Sequence, residues 1–531
     1  MRSLRLLLFG AFAVVAGAPT FGPTETLDPK YATGGLHSAE PLGVDGAGHA
    51  LYATKRVFDP SGSQDEQAVV LQRCSGATRW GDAVVRGDSA QLNSPHELVV
   101  TPSGRAILVW VDENSSVGKV WSSVRSAAGA WGPAQLVASG ATVTYSVDVA
   151  MNDAGDAAVV WFESGYDPVA SYRPAATGAW DAPHELEDDL NDVVVAIAPN
   201  GDAAFVGPDP SDDEVGAVMR SAGGTWGAFD KAEDLGTITA LRAAYDGQGR
   251  LTVVYGDGTT KLLVQRRTGT AWLADPIELG TVSANKGLKD IAPYAGGIAA
   301  VWTEGANLGV ATVGAAVNSH IYAGTPLSFA TGTVAVDSAG EVLVAGERDS
   351  SGGGRDVWGT ILATPGSAWP AQLELYSPAS ASPSLMYRDP VAAGGGGLVL
   401  AWGVHAGADR STQARATTAP VACAGGGQNP PPQPPPPPPV VTQPKPKFAD
   451  FLTLPKAAKC VKSRKLRLKL SKSQRAKVNK VSVKVNGKKR KLKRGLRLTR
   501  LPARGRYTVA VTITLKDGTV LKGKRRYRAC G

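Results

Sequence analysis

The sequence predicts an all-β chain built on a repeated four-stranded unit, and three observations predict it. Its 531 residues include 63 Gly and 36 Pro, nearly a fifth of the whole, a turn-rich composition that argues against a helical bundle. Aligned on itself, the chain shows a Gly followed by an apolar strand ending in an aromatic: Gly104-RAILVW, Gly155-DAAVVW, Gly249-RLTVVY and Gly296-GIAAVW, with the same slot at Gly48, Gly201, Gly340 and Gly396. The successive intervals are 56, 51, 46, 48, 47, 44 and 56 residues, a period near that of a four-stranded propeller blade. A third marker runs in phase: Trp80, Trp131, Trp180, Trp226, Trp272 and Trp369 each follow a turn and open a strand, and the slot near His320 lacks its Trp.

Each unit therefore reads as an antiparallel meander of four strands with Gly, Asn and Asp turns. One such sheet cannot bury both faces, whereas sheets packed in a closed ring leave only short protected edges. The expected fold is an eight-bladed β-propeller over residues 19–423, with seven blades as the alternative if the first or last unit is incomplete. The eighth unit stops after three strands. Phe21-Gly-Pro-Thr-Glu-Thr-Leu27 matches the Trp-strand pattern and is expected to supply the missing outer strand. Cys74 and Cys423, at the ends of the third strands of units one and eight, become neighbours if the ring closes, and a disulfide between them is expected.

Ahead of the repeats, Met1-Arg-Ser-Leu-Arg5 and the apolar run Leu6–Ala18 read as a secretory signal peptide, residues 1–18, with cleavage after Ala18 or Ala16. The run is too short for a membrane span, so the mature chain is expected to be soluble and secreted.

After the repeats, residues 424–447 carry GGGQNPPPQPPPPPPVVTQPKPK, an extended polyproline spacer that cannot join a sheet. Residues 448–531 then hold 28 Lys and Arg against two acids, Asp450 and Asp517, a net +26 in a chain whose total is +9, which leaves −17 on the rest. Alternation in Lys465–Leu470, Val481–Val485 and Tyr507–Ile513, with turns at Asn486-Gly487 and Asp517-Gly518, predicts a small β-sandwich. Cys460 and Cys530, on its first and last strands, are expected to form a second disulfide that clamps a thin core.

Turns such as Arg220-Ser-Ala-Gly-Gly-Thr-Trp226-Gly resemble the Asp-box turns of sialidase-like propellers, although the Asp is absent and no Phe-Arg-Ile-Pro-like segment is present. That resemblance spans about 400 residues and implies fold alone. The tail, with Cys460-Val-Lys-Ser-Arg, Val485-Asn-Gly-Lys, Leu501-Pro-Ala-Arg-Gly-Arg-Tyr-Thr-Val509 and Arg525-Arg-Tyr-Arg-Ala-Cys530, resembles an Ig-like module at the C-termini of exported bacterial proteins. It implies location more than activity.

The chemistry-bearing residues are sparse. His37, His49, His96, His184, His320 and His405 show no ligand spacing, so neither a metal site nor a cofactor is expected. One positional pattern stands out: eight residues after the repeat Gly, just beyond the second strand, come Asp112, Glu163, Asp209, Asp257 and Glu304, with Glu347 one place off. In a propeller these loops emerge on one face, so the acids are the candidate ligand-binding ring, for a cation, a basic partner or the chain's own basic module. The expected function is that of a monomeric, exported, cell-surface-associated binding or scaffold protein. Its propeller is the recognition platform for an unidentified ligand, and residues 448–531 are an electrostatic anchor to an anionic cell-wall polymer or acidic glycan. The alternative is a sialidase-like carbohydrate-active enzyme, a glycoside hydrolase or lyase using two carboxylates.

Overall fold

The computed structural model describes residues 25–26, 41–57, 66–73, 81–84, 96–112, 118–139, 143–163, 167–186, 190, 192–209, 214–234, 238–258, 260–273, 276–281, 287–324, 329, 331–349, 355–376, 391–406, 409–417, 448–454, 466–470, 475–492, 497–499, 501–502, 504–516 and 520–529. The expected signal peptide, the proline spacer and all four cysteines lie outside the described residues. The chain divides into two compact units, Met1–Asn429 and Pro430–Gly531.

Among the described residues, unit 1 holds eight antiparallel sheets, each a meander of strands consecutive in the chain save for the outer strand of sheet 8. Sheet 1 is Leu42–Val44, Ala50–Val57, Glu66–Gln72 and Gly81–Val84; sheet 2 is His96–Val100, Ala106–Asp112, Lys119–Arg125 and Gln135–Ser139. Sheet 3 is Val143–Met151, Ala157–Glu163, Pro168–Arg173 and His184–Glu185; sheet 4 is Val194–Ile197, Ala203–Asp209, Glu214–Arg220 and Trp226–Asp234. Sheet 5 is Thr239–Tyr245, Leu251–Gly256 and Lys261–Thr268, with its outer strand in two pieces, Ala271–Trp272 and Ile277–Thr281. Sheet 6 is Leu288–Tyr294, Gly297–Glu304, Asn307–Val313 and Val317–Tyr322; sheet 7 is Thr333–Val336, Val342–Asp349, Arg355–Leu362 and Leu373–Tyr376. Sheet 8 is Val391–Gly394, Leu398–Ala406 and Asp409–Ala416, completed by Glu25–Thr26 from the other end of the chain. Glu25 pairs with Ala414 and Thr26 with Gln413, so the strand expected from Phe21–Leu27 is present as this short segment.

Burial follows position in the sheet. Second strands are covered on both faces, and Ala106–Asp112 and Leu251–Gly256 are buried at every position. This is why they read as unbroken apolar runs rather than as alternation. Outer strands are wetter: Val317–Tyr322, the fourth strand in the slot without Trp, is mostly exposed.

Each apolar core is shared by two consecutive sheets. Trp110 joins Leu51 and Val70 between sheets 1 and 2, and Trp161 joins Ile107 and Val109 between sheets 2 and 3. Trp302 joins Val254 and Leu262 between sheets 5 and 6, and Trp402 joins Leu343 and Val357 between sheets 7 and 8. The circle closes where Val399 and Ala401 of sheet 8 pack on Val44, Tyr52 and Leu71 of sheet 1. Unit 1 is thus a ring of repeated four-stranded sheets, a β-propeller architecture.

The repeat Gly has a physical reason. At Gly48, Gly104, Gly155, Gly201, Gly249 and Gly340 it is the fourth residue of a five-residue turn between first and second strands, and its N–H donates to the carbonyl three residues earlier, as Gly104 does to Thr101 and Gly155 to Asn152, whereas Gly296 lies in a two-residue turn. The turn requires a positive φ, +83° at Gly104 and +94° at Gly155, where a Cβ is strained. Gly396 is needed for a different reason: a Cβ there would collide with the Gly46 carbonyl across the sheet 8 to sheet 1 junction.

The Trp marker also differs from its sequence reading. Trp131 makes only an isolated bridge to Arg125, and Trp180 lies outside His184–Glu185. Trp226 opens the fourth strand of sheet 4 as expected, and three of the others share a hydrogen bond to the preceding sheet: Trp180 Nε1 donates to Ser122 Oγ (2.8 Å), Trp272 Nε1 to the Asp230 carbonyl (3.2 Å) and Trp369 Nε1 to the Asn318 carbonyl (3.3 Å).

Unit 2 is built on a four-stranded antiparallel sheet in the order Lys488–Arg490, Val478–Val485, Gly505–Leu515, Val520–Ala529. One face, with Val483, Val509, Val511, Ile513 and Tyr527, packs on Phe451, Leu452 and Leu454 beside the short helix Phe448–Phe451, and on Leu466, Leu468 and Leu498 from two small two-stranded sheets. Gly523 is the seat of the Phe448 ring, which a Cβ would displace.

Candidate functional site

The turns between first and second strands gather at one end of unit 1. Gly46 N donates to the Pro102 carbonyl, Ser103 N to Asp153 Oδ1, Asn152 Nδ2 to the Ala198 carbonyl, Gly247 N to the Tyr294 carbonyl, Ser338 N to the Gly395 carbonyl and Gly396 N to the Asp45 carbonyl. Second strands run away from these touching turns, so their far ends share the opposite end of the ring. Asp112, Glu163, Asp209 and Glu304 are the last residues of the second strands of sheets 2, 3, 4 and 6, and Asp257 directly follows that of sheet 5.

Each acid there has local work. Asp112 is nearly buried and lies 3.9 Å from Lys119, its register partner on the next strand. Glu163 Oε1 accepts from Trp161 Nε1 at 3.5 Å. Asp257 Oδ1 accepts the N–H groups of Thr260 and Lys261, fixing its own turn. Asp209 pairs in register with Glu214, and Glu304 with Asn307 across a tight turn at Gly305. Glu347 stands inside its strand rather than at the end, and it is buried, with its N–H donating to Thr331 Oγ1. Among the described residues, no three His, Cys, Asp or Glu side chains group as metal ligands. Of the histidines described in contact, His49 Nδ1 meets Asp45 Oδ2 (2.8 Å), His184 stacks on Trp226, and His320 meets the edge of Tyr322.

A second layer lies on the first strands, the innermost in each sheet, which contact one another in cyclic order from sheet 1 to sheet 8 and back. The first-strand residues paired with the fifth residue after the repeat Gly are Glu97, Asp148, Val194, Arg242, Asp290 and Thr333 in sheets 2 to 7. Four of these six are charged. Asp148 Oδ2 accepts the Val195 N–H of sheet 4 (2.8 Å), and Asp290 Oδ2 accepts the Val334 N–H (3.0 Å) and the Thr333 hydroxyl (2.9 Å) of sheet 7. An innermost strand has one unpaired edge, and these carboxylates satisfy its N–H groups from the neighbouring sheet.

Burial raises the Asp148 carboxyl to about 6, against the opposing pull of the Val195 and Val149 N–H groups and the Arg242 cation. Asp290 is raised by the same cause, opposed by the Val334 N–H, the Thr333 hydroxyl and Arg242. Arg242, exposed on sheet 5, thus acts electrostatically on both acids, and its Nη1 donates to the Leu241 carbonyl. The sequence signal for this layer is an acid at one fixed place in three first strands, Glu97, Asp148 and Asp290.

No family model matches the chain, and no curated protein does. Among solved structures the chain is similar to the BP39L lectin of Burkholderia pseudomallei, with 12% identity over 64% of this chain and 99% of that one and a TM-score of 0.42. It is also similar to the β-propeller domain of the Trilobed protease of Pyrococcus furiosus, 8% identical over 64% and 99% with a TM-score of 0.40. A third similar structure is the Aleuria aurantia lectin, 10% identical over 63% and 97% with a TM-score of 0.32.

Proposed function

We propose that the chain is an exported, surface-associated binding protein in which an eight-bladed propeller is the recognition platform and the Ig-like basic module is an electrostatic anchor to anionic polymers. In this reading residues 1–18 are removed on export, residues 19–423 form the propeller, residues 424–447 act as a spacer, and Cys74–Cys423 and Cys460–Cys530 are disulfides. The observation that carries it is the partition of charge: +26 on residues 448–531 against −17 on the rest. So dense a cationic module binds polyanions by counterion release, with steep dependence on salt. The ligand-facing end of the propeller is the one carrying Asp112, Glu163, Asp209, Asp257 and Glu304, which suits a cationic or hydroxyl-rich partner.

The test compares the full chain with one ending at Asn429, against isolated bacterial cell wall and a glycan panel, at low and high salt. Wall binding that needs residues 430–531 and vanishes at high salt supports the proposal. Salt-independent binding or turnover of a glycan by the shorter chain contradicts it and favours the carbohydrate-active alternative.

A further inference from the structure

The sheet of unit 2 has a second face that nothing among the described residues covers. Its inward residues alternate with outward ones, and the outward set is free of acids and of aromatics. Lys480, Ser482 and Lys484 point outward from Val478–Val485, opposite in face to buried Val483 and Val485. Arg506, Thr508, Ala510, Thr512 and Thr514 do so from Gly505–Leu515, and Lys522, Lys524, Arg526 and Arg528 from Val520–Ala529.

Register sets them in rows. Lys489, Lys484, Ala510 and Lys524 face one another across all four strands, Ser482, Thr512 and Lys522 form the next row, and Thr508 sits beside Arg526. The cations are exposed, whereas Ser482, Thr508, Ala510 and Thr512 are half-buried and short. The result is a trough with two cationic walls and a floor of short side chains, Thr508, Ala510, Thr512 and Thr514, closed at one end by Arg506 beside Arg528. Strands lie about 4.8 Å apart, so the walls on the second and fourth strands stand about 10 Å apart at the backbone.

We infer that this trough binds a linear polyol phosphate, a phosphodiester polymer without bases. This deepens the anchoring reading above and rests on it. Outward residues along a strand recur every about 6.8 Å. A phosphodiester joined through three carbons has six backbone bonds per charge, as many as two residues, and therefore the same extended repeat of about 7 Å. Successive phosphates thus meet the successive cations Lys522, Lys524, Arg526 and Arg528 of the fourth strand, with Lys480 and Lys484 at alternate places on the opposite wall, and the Thr and Ser hydroxyls donate to phosphate oxygens from below. Single-stranded nucleic acid shares this backbone repeat but needs aromatic platforms for its bases, and Tyr507 and Tyr527 are buried on the other face.

The test measures binding of the full chain to poly(glycerol phosphate), oligo(dT) and a polyuronate at matched charge in 0.1 M salt. One triple variant, Lys484→Gln, Lys524→Gln and Arg526→Gln, removes three cations from the middle of the trough walls and leaves Lys480, Lys522 and Arg528 in place. A charge-matched control, Lys477→Gln, Lys491→Gln and Lys516→Gln, alters exposed cations elsewhere in unit 2. At about 1 kcal/mol per basic group the trough variant loses about 100-fold in affinity for the polyol phosphate, and the control no more than about 5-fold. A second pair isolates position from net charge: Thr512→Glu on the trough floor loses at least about 10-fold, and Lys516→Gln, with the same change in charge, about 2-fold or less. Equal losses for trough and control variants overturn the trough while leaving anchoring intact. Tighter binding of oligo(dT) or of the polyuronate also overturns it, by naming another occupant. Failure of the unaltered chain to bind any of the three overturns the anchoring reading itself.

Discussion

Replacing Asp148 by Asn tests the buried first-strand layer through the pH dependence of stability. The carboxyl stands at about 6 in the folded chain against 3.8 in its ordinary state, raised chiefly by burial. The folded state therefore binds a proton that the unfolded state has released between these two values, so this group's contribution to stability is full below pH 3.8 and is lost as pH rises through 6. About two pKa units correspond to about 3 kcal/mol, of which about 2.5 kcal/mol falls between pH 4 and pH 8. Asn does not titrate. Whatever fixed cost Asp148→Asn carries from one lost N–H acceptor, the variant is expected to gain about 2.5 kcal/mol on the wild type between pH 4 and pH 8. Urea unfolding followed by tryptophan fluorescence reads this cleanly, because all twelve Trp lie in residues 1–429. Adding Arg242→Met, which removes the cation that lowers this carboxyl, is expected to move the wild-type loss to higher pH. A difference between Asp148→Asn and wild type that stays flat across this range refutes the assignment of a buried, titrating carboxyl.

Three further substitutions probe the ring. Trp180→Phe keeps the apolar ring but strips Ser122 Oγ, on a fully buried residue, of its 2.8 Å donor; it is expected to cost about 1–2 kcal/mol, with a coupling of about 1 kcal/mol in a cycle with Ser122→Ala. Gly155→Ala, at φ +94°, is expected to cost about 1–2 kcal/mol, whereas Gly223→Ala, without a positive φ and with its Cβ in ordinary contact with Ser221 Oγ at 3.8 Å, stabilises by up to about 1 kcal/mol; thermal unfolding monitored at tryptophan compares them. Asp257→Ala removes an acceptor from two turn N–H groups and is expected to cost about 1 kcal/mol, read by urea unfolding of the full chain.

The repeat was legible because it is enforced locally. A turn that needs positive φ writes Gly at a fixed place, and a strand buried on both faces writes an apolar run, so Gly104-RAILVW and its counterparts announced the sheets. The borrowed strand Glu25–Thr26 was legible for the same reason, since its pattern matched a repeat. What the sequence hid was set by partners on other sheets. The Trp residues read as strand openers, yet Trp180, Trp272 and Trp369 serve as donors to the preceding sheet, which no local pattern states. Asp148 and Asp290 passed unnoticed because their partners, Val195 and Val334, lie on the next sheet 40 or more residues away. The acids after the second strands were found by position, and the structure gathers them at one end of the ring. It also shows that Asp257 and Asp112 are engaged in their own turn and strand pair. In unit 2, alternation alone separated the buried from the cationic face, so the trough was implicit in the sequence, but its rows required the register.

The most direct test of the anchoring account is the slope of log binding constant against log salt for the full chain and for the chain ending at Asn429, on a polyol phosphate. With about six phosphates contacted, the full chain is expected to show a slope near −4, and the shorter chain no measurable binding at any salt. A slope near zero for the full chain, or equal binding by both chains, contradicts the account.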